Sequence, residues 1–218
     1  MARQVAFAML MVSAVLGCAA QPRDVELGLF REVANTPLWT VDVEKAEPPQ
    51  GWPDFCSRHP AECNVGQLAR RDVALTPATW EAILRINRWA NENIRPGSEL
   101  DLWGSVNKWE FPQNGRGDCK SYVLLKRRML IDAGFPRQAL LITIVWSKEG
   151  KGHAVLIART DKGDFVLDNL SFEVLLAYQT GYRLVKRQSQ SDPKAWVYID
   201  GEPRDLTATP LRISANDQ

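Results

Sequence analysis

The sequence predicts an α+β domain in which a helix bearing a candidate nucleophile packs on an antiparallel sheet. Three observations lead there. Apolar residues recur at helical spacing only before about Ala133. After that residue the apolar runs are short, β-rich and separated by turn residues. Between the two regimes, a glycine-rich turn opens the second helix at Cys119.

The N-terminus differs in character from the rest. Arg3 precedes an apolar run from Val5 to Leu16, then Gly17 and Cys18. A short positive region followed by an apolar stretch too short to span a bilayer is the pattern of a signal peptide, here residues 1–20. Val15-Leu16-Gly17-Cys18 resembles a lipobox, which makes Cys18 a lipidation candidate. Small residues at Cys18 and Ala20 equally permit ordinary cleavage after Ala20. Residues 21–50 read as an irregular lead-in, broken by Pro37, Pro48 and Pro49. The domain is expected over 51–205, followed by a tail at 206–218.

Cys56 and Cys63 flank a short loop near the start of the domain. In an exported chain two such neighbours predict a disulfide. The alternative, Cys56, His59 and Cys63 as metal ligands, lacks the fourth ligand a closed zinc site takes. The first helix starts at Thr76, which can cap it, with Pro77 where a missing N–H costs nothing. Trp80, Ile83, Leu84, Ile86 and Ala90 give it an apolar face, and it runs to about Ile94 before Pro96-Gly97 stops it. Residues 98–117 form a long loop carrying Trp103 and Trp109. Loops of that length inside a compact domain are usually functional.

The second helix is predicted over Cys119 to Ala133. Tyr122, Val123, Leu125, Met129 and Leu130 form its buried side, and Lys126, Arg127 and Arg128 its outer one. Gly134 and Pro136 end it. Strands follow at 139–146, 154–159, 165–167 and 196–199, the second and third joined by a turn at 161–163.

Of 218 residues, 45% are hydrophobic and 24% charged, as in ordinary globular domains. The formal net charge of +1 gives no electrostatic footprint for nucleic acid. No later stretch approaches the ~20 apolar residues of a membrane span, so membrane attachment would rest on a lipid at Cys18. Eight tryptophans can furnish a core or line a groove.

With Cys18 in the leader and Cys56 and Cys63 paired, Cys119 is left over. An unpaired thiol in an oxidising compartment is a liability unless it has work to do. Gly115-Arg116-Gly117-Asp118 leads directly into its helix. Glycines let a substrate backbone approach. The helix N-terminus favours the thiolate and offers free N–H groups to an oxyanion. A nucleophilic thiol needs a base, and the chain has two histidines. His59 lies in the disulfide loop, which leaves His153 at the entrance of a strand. Asp168, at the end of the next strand, can orient it. Nucleophile, base and orienting carboxylate thus occur in an order that one small sheet can assemble. Trp103 and Trp109 are candidates for the groove wall and for a second oxyanion donor through an indole N–H.

Gly117-Asp118-Cys119, then Tyr122 to Arg127, Gly152-His153-Ala154-Val155-Leu156 and Val166-Leu167-Asp168-Asn169-Leu170 resemble the motifs of the bacterial transglutaminase-like cysteine peptidases, the LapG-like family. The resemblance runs from about Trp52 to Ile199 and takes in the Trp103 and Trp109 loop and the segment from Tyr182 to Gln188. It implies a papain-like fold with Cys119, His153 and Asp168 as the triad. It also implies a protein or peptide substrate such as a surface adhesin, a periplasmic or envelope location, and an inner-membrane regulatory receptor. Members of that family carry Asp-Cys-Glu at the nucleophile, the two acidic residues belonging to a calcium site. Here Lys120 follows Cys119, which removes an oxygen ligand and adds a repelling charge. The expectation is therefore of no metal or other cofactor, with Lys120 favouring the Cys119 thiolate. Two rival readings remain: acyl transfer to an amine, as in transglutaminases and amidases, and a non-catalytic envelope binding module.

Overall fold

The computed structural model describes residues 39–199. The leader with Cys18 and the tail at 206–218 lie outside the described residues. The helices come mainly first. They are α1 (Trp52–Arg58), α2 (Pro60–Cys63), α3 (Pro77–Asn93), α4 (Glu99–Trp103) and α5 (Cys119–Asp132). A seven-stranded sheet is built from β1 (Asp42–Ala46), β4 (Leu140–Trp146), β5 (Gly152–Thr160), β6 (Gly163–Leu167), β7 (Leu175–Leu176), β8 (Arg183–Gln188) and β9 (Trp196–Ile199). Its order is β1-β9-β8-β4-β5-β6-β7, with every neighbouring pair antiparallel. Two short strands, β2 (Arg95–Pro96) and β3 (Arg116–Gly117), pair in parallel and tie the end of α3 to the entrance of α5.

The sheet is covered on both faces, and the period-2 alternation of its side chains shows it. Leu140, Ile142 and Ile144 of β4 join Ala154, Leu156 and Ala158 of β5 in the core that also holds Val123, Leu124 and Leu130 of α5. The intervening Leu141, Val145, Val155 and Ile157 form a second apolar layer with Val166 and Ala177. Two-sided burial is why these strands read as continuous apolar runs. At the far side of the main core, Trp52, Trp109 and Trp196 meet edge to face, with centroids 5.2 and 5.7 Å from Trp52. All three are buried, so these tryptophans furnish core.

Several sequence expectations need correcting: α1 and α2 precede the helix expected to come first, and the segment 98–117, expected as one long loop, contains α4 and β3. The segment at 21–50 is not wholly irregular: β1 lies in it, paired with β9. β7 and β8 add two further strands beyond the four expected. β7 is only two residues long, and the half-polar β8 (RLVKRQ) lacks the apolar run that marks β4 and β5. Lys126 and Arg127 do not face outward but are buried. Lys126 Nζ donates to Asn87 Oδ1 of α3 at 2.7 Å, and Arg127 Nε donates to the Leu140 carbonyl at 2.9 Å. Arg127 also pairs with the buried Glu62 of α2 at 3.3 Å. α5 is enclosed on several sides, and each buried cation meets a partner there, as burial demands.

Candidate active site

Asp118 caps α5. Its Oδ1 accepts from the Ser121 N–H at 3.0 Å and from the Ser121 hydroxyl at 3.1 Å. A cap of this kind satisfies an orphan donor of the first turn and fixes where the helix begins. Gly117 is required here for packing: a Cβ on it would fall 2.6 Å from Ser121 Cβ. Cys119 is consequently the first residue of α5, where its N–H lies outside the helical ladder. It is the free cysteine among the described residues and is buried. Cys56 and Cys63 form the disulfide. That excludes the alternative of a metal held by Cys56, His59 and Cys63. His59 instead faces Glu110, 2.9 Å away.

The sheet supplies the other two groups. His153 is the second residue of β5, opposite Val145 of β4, and Asp168 follows β6 directly. Pairing of Leu156 with Leu167 brings the start of β5 and the end of β6 to the same end of the sheet. His153 Nε2 lies 2.8 Å from Asp168 Oδ1. Cys119 is close enough to act on the ring through its charge and hydrogen-bonding capacity, and Nδ1 is the ring nitrogen that Asp168 does not take. Burial works against a charged imidazole. Hydrogen bonds and charge from Asp168 and Cys119 outweigh it and push His153 up to about 10. Burial likewise opposes the Asp168 carboxylate, yet hydrogen bonds and charge from its neighbours hold it below the ordinary aspartate range.

Two neighbours of this group carried no signal of function in the sequence. Tyr182, just before β8, donates its hydroxyl to Asp168 Oδ2 at 2.5 Å and lies edge-on to the His153 ring. Asn91 of α3 donates to the carbonyls of Asp168 and Ser171 at 2.9 and 2.8 Å. Tyr182 sits in a segment that enters the family resemblance but has no motif of its own. Asn91 is one polar position on an amphipathic helix.

The tryptophans divide. Trp109 is fully buried and its Nε1–H is spent on the Gln50 carbonyl at 3.2 Å. It therefore neither lines a groove nor donates to an oxyanion, which corrects that expectation. Trp103 ends α4 and is half-buried. Its Nε1 is buried without a hydrogen-bond partner among the described residues, and Lys108 sits 5.3 Å over the ring.

Lys120 is buried between two carboxylates. Its Nζ lies 2.6 Å from Asp118 Oδ2 and also pairs with Glu99 Oε1. Burial works against the ammonium, but Asp118, Cys119 and Glu99 together hold it above the usual lysine range. Burial pushes the Glu99 carboxyl up, against the pull of Lys120. The Lys120 charge expected to favour the Cys119 thiolate is also shared with two carboxylates. The calcium implied by family resemblance does not fit these residues: the oxygens that would face it face an ammonium. Among the described residues no group of three or more histidine, cysteine or acidic side chains is arranged to hold a metal.

A thiol at a helix N-terminus, with a histidine and a carboxylate delivered by adjacent strands of an antiparallel sheet, defines the class of thiol-dependent enzymes with a mixed helix and sheet fold. Within that class, the chain belongs to the bacterial transglutaminase-like cysteine proteinase family, whose profile matches residues 42–204. The match begins at β1, the strand the sequence reading left outside the domain. Among solved structures, Legionella pneumophila LapG is similar at 23% identity and a TM-score of 0.43, over 52% of this chain and 65% of that one. Calcium-bound LapG gives 20% identity and a TM-score of 0.48, over 63% of this chain and 78% of that one. EGTA-treated LapG gives 20% and 0.46, over 63% and 77%. The chain thus spans just under two thirds of the first of these. No curated protein matches it.

Proposed function

We propose that the chain is an exported peptidase that cleaves an envelope or surface protein through Cys119, His153 and Asp168. The observation that supports the reading is the 2.8 Å His153–Asp168 bond, with Cys119 near enough to raise the His153 ring. His153, held as imidazolium, balances negative charge on Cys119 Sγ. The thiolate attacks the scissile carbonyl carbon, forming a C–S bond. His153 gives its proton to the leaving amine as the C–N bond breaks, which leaves a thioester. Water then attacks the thioester while His153 takes its proton. The C–S bond breaks, releasing a carboxylic acid and returning the Cys119 thiolate beside the His153 imidazolium. The Cys119 N–H donates to the oxyanion, and the unpartnered Trp103 indole supplies a second donor. Trp103 and its loop border the groove.

A substrate outside the cytoplasm, an adhesin or another surface protein, follows from the leader and the family. They also support a periplasmic or envelope location, whereas Lys120 in place of an acidic residue argues against control by the family's inner-membrane receptor. No helix among the described residues is long and apolar enough to cross a membrane. The test compares envelope and surface proteins of cells carrying the intact chain with those of cells carrying Cys119→Ala. A protein clipped only in the former is the expected result. Identical fragment patterns overturn the reading. Purified protein given a glutamine donor and a labelled amine separates hydrolysis from acyl transfer, and label incorporation in excess of hydrolysis replaces peptidase by transferase.

A further inference from the structure

The side chains around the entrance of α5 form a closed ionic group that the proposed chemistry does not use. Asp118 commits Oδ1 to Ser121, and Glu99 commits Oε2 to the Asn107 N–H at 3.0 Å. Their remaining oxygens, Asp118 Oδ2 and Glu99 Oε1, have no other hydrogen-bond partner among the described residues. Both meet Lys120 Nζ instead. All three side chains are buried, with Lys120 0% exposed. Two carboxylates sharing a buried site repel one another, and a cation between them favours the ionised form of both. Here that cation is tethered to the residue next to Cys119. It joins α4, at the start of the Trp103 loop, to the cap of the helix that carries the thiol.

We infer that the Lys120 ammonium is a built-in cation that docks Glu99 on Asp118 and so positions Cys119 without a metal ion. Resting on the reading of Cys119 as nucleophile, this makes Lys120 a positioning residue. Two carboxylates present hard oxygen donors and a formal charge of −2, the chemistry that holds a divalent ion such as calcium. An ammonium on a four-carbon stem fills the same place, cannot be chelated away, and leaves the group with one negative charge. The chain is therefore active whatever the calcium level. Removing the stem and its charge together opens a space between two hard donors. Lys120→Ala then makes the protein depend on an added divalent ion. Lys120→Met keeps the stem, removes the charge, and leaves no room for one.

The test uses the full chain and two readouts, the alkylation rate of Cys119 by iodoacetamide and the thermal midpoint, each in EGTA and in calcium chloride. The wild type is expected to be indifferent to the change. Lys120→Ala in EGTA should alkylate more slowly by roughly 10–100-fold, the loss typical when a supporting contact is removed. Calcium should recover both the rate and the midpoint. Lys120→Met should stay slow in both solutions. Three results overturn the proposal: a wild type that slows in EGTA, a Lys120→Ala protein that keeps full reactivity there, or one that is unfolded with calcium and without it. If wild-type Cys119 alkylates no faster than a free thiol, the nucleophile reading fails. The calcium-dependent midpoint of Lys120→Ala still decides the cation question in that case.

Discussion

Replacing Asp168 by Asn tests the site most directly, because it removes one charge and little volume. Against the cost of burial, His153 is raised from 6.5 to about 10 by contacts to Asp168 and Cys119, the Asp168 hydrogen bond being the largest favourable one. In Asp168→Asn only the Cys119 contribution survives intact. The imidazolium is then lost well below pH 10, so the alkaline limb of kcat/KM moves by more than a unit toward the ordinary imidazole range. An amide can also present N–H to the ring and favour the wrong tautomer. The loss in kcat/KM at neutral pH should be on the order of 10²–10⁴-fold. The assay is a pH profile on a cleavable peptide, with iodoacetamide alkylation of Cys119 over the same range. Stability follows with a definite sign. His153 has a raised folded value, so its contribution is full below 6.5 and is lost as pH rises through about 10. Asp168 has a depressed folded value, so its contribution is present above 3.8 and lost as pH falls below that. An Asp168→Asn protein with the wild-type alkaline limb and near wild-type rate refutes the assignment.

Three further outcomes follow from the packing. Trp109→Phe loses the bond to Gln50 and part of the aromatic cluster; denaturant titration should show a loss of about 1–3 kcal/mol, with kcat unchanged. A fall of about 10²-fold in kcat at intact stability would restore an oxyanion role for its indole. Reducing Cys56–Cys63, which closes a loop of sequence separation 7, should cost roughly 2–3 kcal/mol by loop entropy, read as a lower urea midpoint without loss of Cys119 alkylation. Lys126 is lowered by burial to about 7 in the folded state against 10.5. Between those values the unfolded chain holds a proton that the folded one does not. The stability of the wild type relative to Lys126→Met should therefore rise by about 1.4 kcal/mol per pH unit above 7, and a difference constant with pH would show that Lys126 is not buried as described.

How much of this was legible in the sequence depended on whether a signal was local. The Thr76 cap with Pro77, the Gly117-Asp118-Cys119 entrance and the two-sided strands β4 and β5 are written in neighbouring residues, and they fall where the pattern puts them. Cys119, His153 and Asp168 could be named because few other candidates existed. What escaped was set by tertiary contact. β1 is a polar strand that exists because β9 offers it an edge. Lys126 and Arg127 look like a solvated face, since helical periodicity records charge but not a carbonyl or carboxylate waiting across an interface. Trp109 looked like a groove residue because it shares a loop with Trp103, and only the packing against Trp52 shows that it belongs to the core.

The polar residues buried along α5 act as a set. Lys120 reaches Glu99 of α4, Lys126 reaches Asn87 of α3, and Arg127 reaches the Leu140 carbonyl of β4 and Glu62 of α2. Each bond is directional and points to a different element, whereas the apolar contacts of the same helix would tolerate rotation or sliding. α3 closes the loop of constraints. Asn87 holds Lys126 of the thiol-bearing helix and also donates to the Phe172 carbonyl at 3.2 Å, while Asn91, one turn on, holds the backbone of Asp168 and Ser171. The thiol arm of the site arrives from α5 and the imidazole–carboxylate arm from the sheet. α3 grips both. α3 thus braces both arms without touching Cys119 or His153, and on the proposed mechanism substitutions at Asn87 or Asn91 should act on rate through their spacing.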